Sequence, residues 1–253
     1  MAAEKASAIV LRLVEFSETS SVVTFFTREF GRLGALAKGA RRTKGPFDSA
    51  LDVLTHCRIV FLRKSSGGLD LLTEAKLERR FRPAGRDTGS LYAGYYVAEI
   101  LLNLTDEYDP HPELFDLADS ALRSLADGAA VTPLVLRFEL IALRLLGHLP
   151  NLETCVECSE PVPADGRIAF GQLAGGVLCA RCRPGKKQVV SISAGVLTVL
   201  RRFADPNTND WQTVPLAGNV RGETRGVVNH YISHLLGRKP KLHRYLGFLA
   251  AGS

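Results

Sequence analysis

Four of the five cysteines in this 253-residue chain fall in two C-x-x-C pairs, Cys155 with Cys158 and Cys179 with Cys182, and twenty residues separate the pairs. Each pair bends the backbone so that two thiolates converge, and two such knuckles complete a tetrahedron of sulfur ligands around Zn2+. Four thiolates leave no position open for water, so the predicted ion is structural, one per chain. It stabilises a segment with few apolar residues of its own. Arg181, Arg183, Lys186 and Lys187 lie beside the second knuckle and offset the charge of a tetrathiolate centre. An iron–sulfur cluster or a redox dithiol are the competing uses of such cysteines. Neither pair opens a helix after a strand, as a thioredoxin-like dithiol does. The fifth cysteine, Cys57, sits in an apolar strand pattern and reads as a buried, inert thiol. Cysteines used this way point to a reducing compartment. The start MAAEKASAIV lacks the pattern of a secretory signal, and no stretch has the roughly 20 apolar residues of a membrane helix, so a cytoplasmic protein without membrane contact is expected.

The second chemically suggestive feature is a basic run. Arg28, Arg32, Lys38, Arg41, Arg42 and Lys44 lie within seventeen residues that contain Glu29 as the only acid. Such cations on a loop between strands can track a phosphate backbone, and Phe25, Phe26 or Phe30 can stack on bases if they are exposed. Strand alternation sends at least one of Phe25 and Phe26 to the core, and a solvated basic loop over core aromatics is the plainer alternative. Lys and Arg against Asp and Glu number 15 and 9 over residues 1–82, 4 and 10 over 83–150, and 13 and 7 over 151–253. Two basic segments therefore flank an acidic one, and only the basic ones suit a polyanion.

Catalytic patterns are thin. Gly34 and Gly39 have phosphate-loop spacing, but Ala40 stands where lysine is required, and Gly31-Arg32-Leu33-Gly34 reads as a turn between strands. There is no H-x-E beside the cysteines, no G-x-S-x-G and no H-E-x-x-H. His230 and His234 are one helical turn apart without a glutamate partner, and Asp106, Glu107 and Asp109 suit a solvated helix end better than a divalent cation. No enzyme is expected.

The elements that must position these groups change character along the chain. Strand-like runs cover Ala8 to Phe16, Val22 to Thr27, Leu33 to Lys38, His56 to Lys64 and Leu69 to Leu77, with GARRTKGPFDSAL between the third and fourth as a basic loop and one turn of helix. Five strands with a helical insertion after the third are the plan of an OB-fold barrel, and another small barrel or a sandwich fits the same pattern. After Pro83 the period approaches four. Leu91, Tyr95, Ala98, Leu101 and Leu102 make one helical face, Leu114, Leu117, Ala121, Leu122 and Leu125 a second, and Leu134, Phe138, Ile141, Leu145 and Leu146 a third. Thr132 is a candidate cap, as is Ser193 for a helix to Ala204, and Thr224 to Leu236 is a further helix. The reading is α+β and multidomain: an N-terminal OB-fold barrel over 1–82, and a helical domain over 83–253 with the zinc module inserted at 151–187.

Taken together, AIVLRLVEFSETSSVVTFFTREFGRLGALAKGARR, LYAGYYVAEILLNLTDEYDPHPELFDLADSAL and VLRFELIALRLLGHLPNLETCVEC with its second knuckle resemble the RecO family of bacterial recombination mediators over essentially the whole chain. The resemblance implies an OB-fold, a helical domain and a zinc module. It implies a nucleoid-associated DNA repair protein without an active site that binds single- and double-stranded DNA, anneals complementary strands, and works with RecR and single-stranded DNA-binding protein to load RecA at gaps. Carried over, Arg28, Arg32, Lys38, Arg41, Arg42 and Lys44 fall on the DNA-binding barrel face and loop, and Cys155, Cys158, Cys179 and Cys182 match the zinc cysteines. Some members lack these cysteines, which argues against a role of zinc in annealing. The competing class is a zinc-containing interaction scaffold without direct DNA binding.

Overall fold

The computed structural model describes residues 3–42, 47, 50–64, 67–216 and 218–246. They form two compact units, Met1–Ala129 and Ala130–Ser253.

In the first unit, the β-branched and aromatic runs form β1 (Ala3–Glu15), β2 (Ser21–Thr27), β3 (Gly31–Ala37), β4 (His56–Leu62) and β5 (Asp70–Arg79). They close into a barrel in the order β1-β2-β3-β5-β4, with β3 and β5 parallel and the remaining pairs antiparallel. That order is the OB arrangement, which removes the open sheet edge. Closure relies on β1, which begins five residues before the sequence pattern suggests. Its Ala3–Ile9 stretch pairs with β4, its Ala8–Glu15 stretch pairs with β2, and a bulge between Val10 and Arg12 bends the strand from one neighbour to the other. Alternation sends Ala8, Val10, Val23, Phe25, Leu33, Ala35, Ile59, Phe61 and Leu72 inward, and Cys57 is fully buried among them. Burial pushes the Cys57 thiol up to about 12, with Glu78 adding to the effect, which keeps it an inert apolar side chain. The turn between β2 and β3 requires glycine. Gly31 has φ of +68°, a Cβ there would lie 2.0 Å from the Asp109 carbonyl oxygen, and Thr27 Oγ1 donates to Gly31 O at 2.8 Å.

Helices α1 (Thr88–Leu104) and α2 (Pro112–Ala126) belong to the same unit as the barrel. Asp87 caps α1, accepting from the backbone N–H groups of Gly89 at 3.0 Å and Ser90 at 2.8 Å. The buried face of α1 carries Ala93, Tyr96, Val97, Ala98, Ile100 and Leu101, so it includes Ala98 and Leu101 of the expected face and is wider than it, while Tyr95 is exposed. The helix is apolar nearly all round, and its packing partners rather than its period select the buried side.

The second unit contains α3 (Val131–Leu145), β6 (Arg167–Gly171), β7 (Gly176–Leu178), β8 (Val189–Ser193), α4 (Ala194–Ala204), α5 (Gly218–Leu235) and α6 (His243–Leu246). Two expected caps do not form. Thr132 lies inside α3, whose N-cap is Ala130, and Ser193 sits at the N-cap of α4 but sends its hydroxyl to Glu223 Oε2 at 2.7 Å. Helix α5 begins six residues before Thr224. Its Arg225 holds the buried Glu139 of α3 with contacts of 2.5 and 3.1 Å.

Candidate metal centre and nucleic-acid interface

The cysteine segment is built on a three-stranded antiparallel sheet of order β7-β6-β8, and Ile168, Ala169, Phe170, Val177, Leu178 and Ile192 of that sheet are buried. The module thus has more apolar support than its composition suggests. Asn151 opens it: its Oδ1 accepts the N–H groups of Glu153 and Thr154, both at 3.0 Å, while its backbone pairs beside Gly176. Gly176 has no room for a side chain, because a Cβ there would lie 2.3 Å from the Asn151 carbonyl oxygen. In the first knuckle Ser159 N donates to Cys155 O at 2.8 Å, with Ser159 at φ of +60°. In the second, Cys182 N donates to Cys179 O at 3.1 Å. Lys186 meets Glu157 at 2.6 Å and so joins the knuckles, and Arg201 of α4 clamps the first knuckle segment through Leu152 O (2.9 and 2.7 Å) and Val162 O (2.8 Å).

This scaffold brings the four Sγ atoms of Cys155, Cys158, Cys179 and Cys182 within 4.8 Å of one another, with Cys158 and Cys179 3.7 Å apart. A zinc tetrahedron with Zn–S bonds of about 2.3 Å has edges of about 3.8 Å, so the spacing fits. Burial opposes ionisation of Cys155, but the backbone N–H groups of Cys179, Cys158 and Glu157 point at its sulfur and bring the thiol down to about 6. The hydrogen bond from Cys182 N–H lowers the Cys179 thiol. Cys182 rises to about 12, because its proton serves the sulfurs of Cys179 and Cys158. The cluster can hold a metal ion.

The basic positions of the first unit divide into two groups. Arg28 grips Asp116 of α2 through hydrogen bonds of 2.9 and 3.0 Å. Arg32 donates to Thr105 O at 3.0 Å and approaches Glu107 at 3.8 Å. Arg41 donates to Ser17 O at 3.1 Å and pairs with Glu15 at 3.2 Å. Lys38 and Arg42, exposed on the turn that follows β3, have no side-chain partner among the described residues. Lys44 lies outside the described residues. The aromatic candidates are not available for stacking: Phe25 and Phe26 are fully buried, and Phe30 packs edge-on against Phe61 at 5.5 Å. The exposed aromatic of the barrel is Phe16, 64% accessible at the end of β1. Its place directly before the polar break SETSS was the signal that could have drawn attention to it.

A closed OB-type barrel followed by a helical region that carries a four-cysteine cluster defines the class: an α+β protein with an oligonucleotide-type barrel and a candidate structural metal centre. The sequence comparisons then give the family. Residues 1–81 match the family Recombination protein O N terminal and residues 85–244 match Recombination protein O C terminal, so the chain belongs to the RecO family of DNA repair and recombination proteins. It is 40% identical over 262 residues to the DNA repair protein RecO of Rhodopirellula baltica, covering 94% of this chain and 97% of that one. It is 35% identical over 243 residues to that of Anaeromyxobacter dehalogenans, covering 96% and 95%, and 32% identical over 234 residues to that of Myxococcus xanthus, covering 92% and 93%. Among the described residues no helix is long and apolar enough to cross a membrane.

Proposed function

We propose that this protein is a non-catalytic mediator of DNA repair and homologous recombination. It binds single- and double-stranded DNA through its barrel, anneals complementary strands and, with RecR, helps load RecA onto gaps coated by single-stranded DNA-binding protein. Family membership supports the general role. The observation that carries the DNA-binding part is the pair of exposed cations Lys38 and Arg42, whose side chains have no partner among the described residues, beside the β1–β2 hairpin of an OB barrel. Cations there neutralise phosphates and release counterions. Holding two strands this way lowers their mutual repulsion, base pairing supplies the driving force, and no nucleotide hydrolysis is required. Arg28 and Arg41 can exchange their exposed carboxylate partners for phosphates at low cost, because water screens exposed ion pairs and leaves them little net contribution to stability.

The test is the Lys38→Glu, Arg42→Glu double variant, assayed for annealing and for single-strand affinity across a salt series. Each lost phosphate contact should flatten the slope of log K against log salt by about 0.7, so a slope reduced by about 1.4 with slower annealing is expected. An unchanged slope and annealing rate overturn the assignment. A wild-type protein with no salt-dependent affinity favours the interaction scaffold.

The cysteine cluster fits zinc in spacing and in donor chemistry. Cys155, Cys158, Cys179 and Cys182 would hold it, and the ion would supply a cross-link between the two knuckles rather than a reactive site.

A further inference from the structure

We propose that the β1–β2 hairpin is a base-stacking site: Phe16 receives an unpaired nucleobase while the cations of the adjoining turn hold the flanking phosphates. The proposal rests on the barrel being the DNA-binding surface and adds the feature that distinguishes single strands from duplex.

Beyond the bulge at Val10 and Arg12, β1 leaves the barrel core, and Arg12, Leu13, Val14 and Glu15 are all exposed. Leu13, Val14 and Glu15 pair with Val23, Val22 and Ser21, which pair on their other side with Ala35, Leu36 and Ala37 of β3, while the pairing of β1 with β4 ends at Ile9; this end of β1 is therefore an outer strand, and Phe16 follows it. Leu13 is 39%, Val14 40% and Phe16 64% accessible, and Phe16 is the most exposed aromatic among the described residues. A large apolar ring held in water on an ordered hairpin calls for a partner.

The hairpin is pre-organised. Phe16 N and Ser17 N both donate to Ser20 O, at 3.0 and 3.1 Å, and Ser20 N donates to Ser17 Oγ at 3.2 Å. Arg41 fastens this loop to the turn after β3: its backbone N–H reaches Thr19 O at 3.2 Å and its guanidinium reaches Ser17 O at 3.1 Å. The ring and the basic turn therefore form one surface. On it Arg12, Lys38, Arg41 and Arg42 outnumber the carboxylates Glu15 and Glu18. An open π face beside an excess of cations is the combination that binds single-stranded nucleic acid, since every base has a face to stack while the backbone needs positive charge. An apolar protein partner would gain nothing from the cations, and a duplex keeps its bases stacked inside.

The experiment uses the full chain with Phe16→Ala, Phe16→Tyr and Arg42→Glu, measuring affinity for an unstructured single strand and for a duplex of equal length across a salt series. Phe16→Ala should weaken single-strand binding about tenfold at every salt concentration and leave both the slope and the duplex affinity unchanged, because stacking releases no counterions. Phe16→Tyr should restore binding, and Arg42→Glu should lower the slope instead. Because Phe16 is exposed, its replacement leaves the core intact, and circular dichroism should match the parent. Phe16→Trp in a Trp211→Phe background gives a second readout, since a stacked base quenches the indole. The proposal fails if single-strand affinity is unchanged in Phe16→Ala, if duplex affinity falls equally, if the tryptophan is not quenched at saturation, or if Phe16→Ala instead dissociates a dimer. Wild-type binding with a steep salt slope and no Phe16 effect removes only the stacking site, whereas no wild-type binding removes the barrel reading itself.

Discussion

Asp119 of α2 gathers most of the charge at its side of the barrel. His56 Nδ1 lies 3.0 Å from its Oδ1, Arg79 bonds the same oxygen, and Arg123 reaches Oδ2 at 2.7 and 3.0 Å. Burial alone would raise this carboxyl, but His56 and Arg79 outweigh it and hold the group well below the usual carboxylate range. The folded value therefore lies below the unfolded value of about 3.9. The stabilisation is fully present above the unfolded value and is lost as pH falls through the folded one. The urea midpoint of the first unit should fall between about pH 5 and pH 2, and Asp119→Asn should remove much of that acid slope. Asp119→Ala leaves the half-buried Arg79 and His56 without their carboxylate, and a loss of about 3 kcal/mol is expected by denaturant titration at pH 7. Arg225 is the counterpart in the second unit: Arg225→Ala removes the guanidinium that meets the fully buried Glu139 carboxylate and should cost about 3 kcal/mol, measured the same way.

At the scale of elements, the barrel depends on a few backbone decisions. Gly31→Ala forces a left-handed residue and drives its Cβ into the Asp109 carbonyl, so a loss of about 3 kcal/mol or more is expected in chemical unfolding, whereas Gly67→Ala, with open space around it, should cost less. Most barrel strands were legible because half-buried strands alternate, and β2, β3 and β4 show buried residues at every second position. The early start of β1 was hidden, since Ala3 to Ser7 mix small and charged residues and owe their strand form to pairing with β4. The sheet of β6, β7 and β8 was hidden too. Its strands are three to five residues long, too short for a period to emerge, and their extended form follows from cross-strand pairing. The four cysteines were legible because a metal cluster writes its geometry directly into spacing. The roles of the arginines were not, because a guanidinium that will meet Asp116 or the Thr105 carbonyl looks in sequence like one that will meet phosphate. Phe16 was missed for a related reason: the break SETSS marks where a strand ends, but whether the residue before it faces water depends on where β1 leaves its pairing with β4.

For the whole molecule, the family descriptions meet near the change of period at Pro83, spanning 1–81 and 85–244, while compact packing divides at Ala129 and Ala130. Each unit has a core of its own, so loss of order in one need not unfold the other. This separates two possible roles of the metal. The purified protein should contain about one zinc per chain. Chelation, or Cys158→Ser with Cys179→Ser, should free the knuckles while the buried residues of β6, β7 and β8 and the Arg201 clamp still hold the module against α4. The second unit should therefore lose at least about 5 °C of thermal stability without unfolding at 25 °C. Annealing at 25 °C should stay within about twofold of the parent with the same salt slope, because Lys38, Arg42 and Phe16 belong to the first unit. Calorimetry and annealing kinetics on the same metal-depleted sample decide the matter. Immediate loss of annealing in a protein whose second unit remains folded would place the cysteine module in the DNA-binding surface and refute its purely structural role.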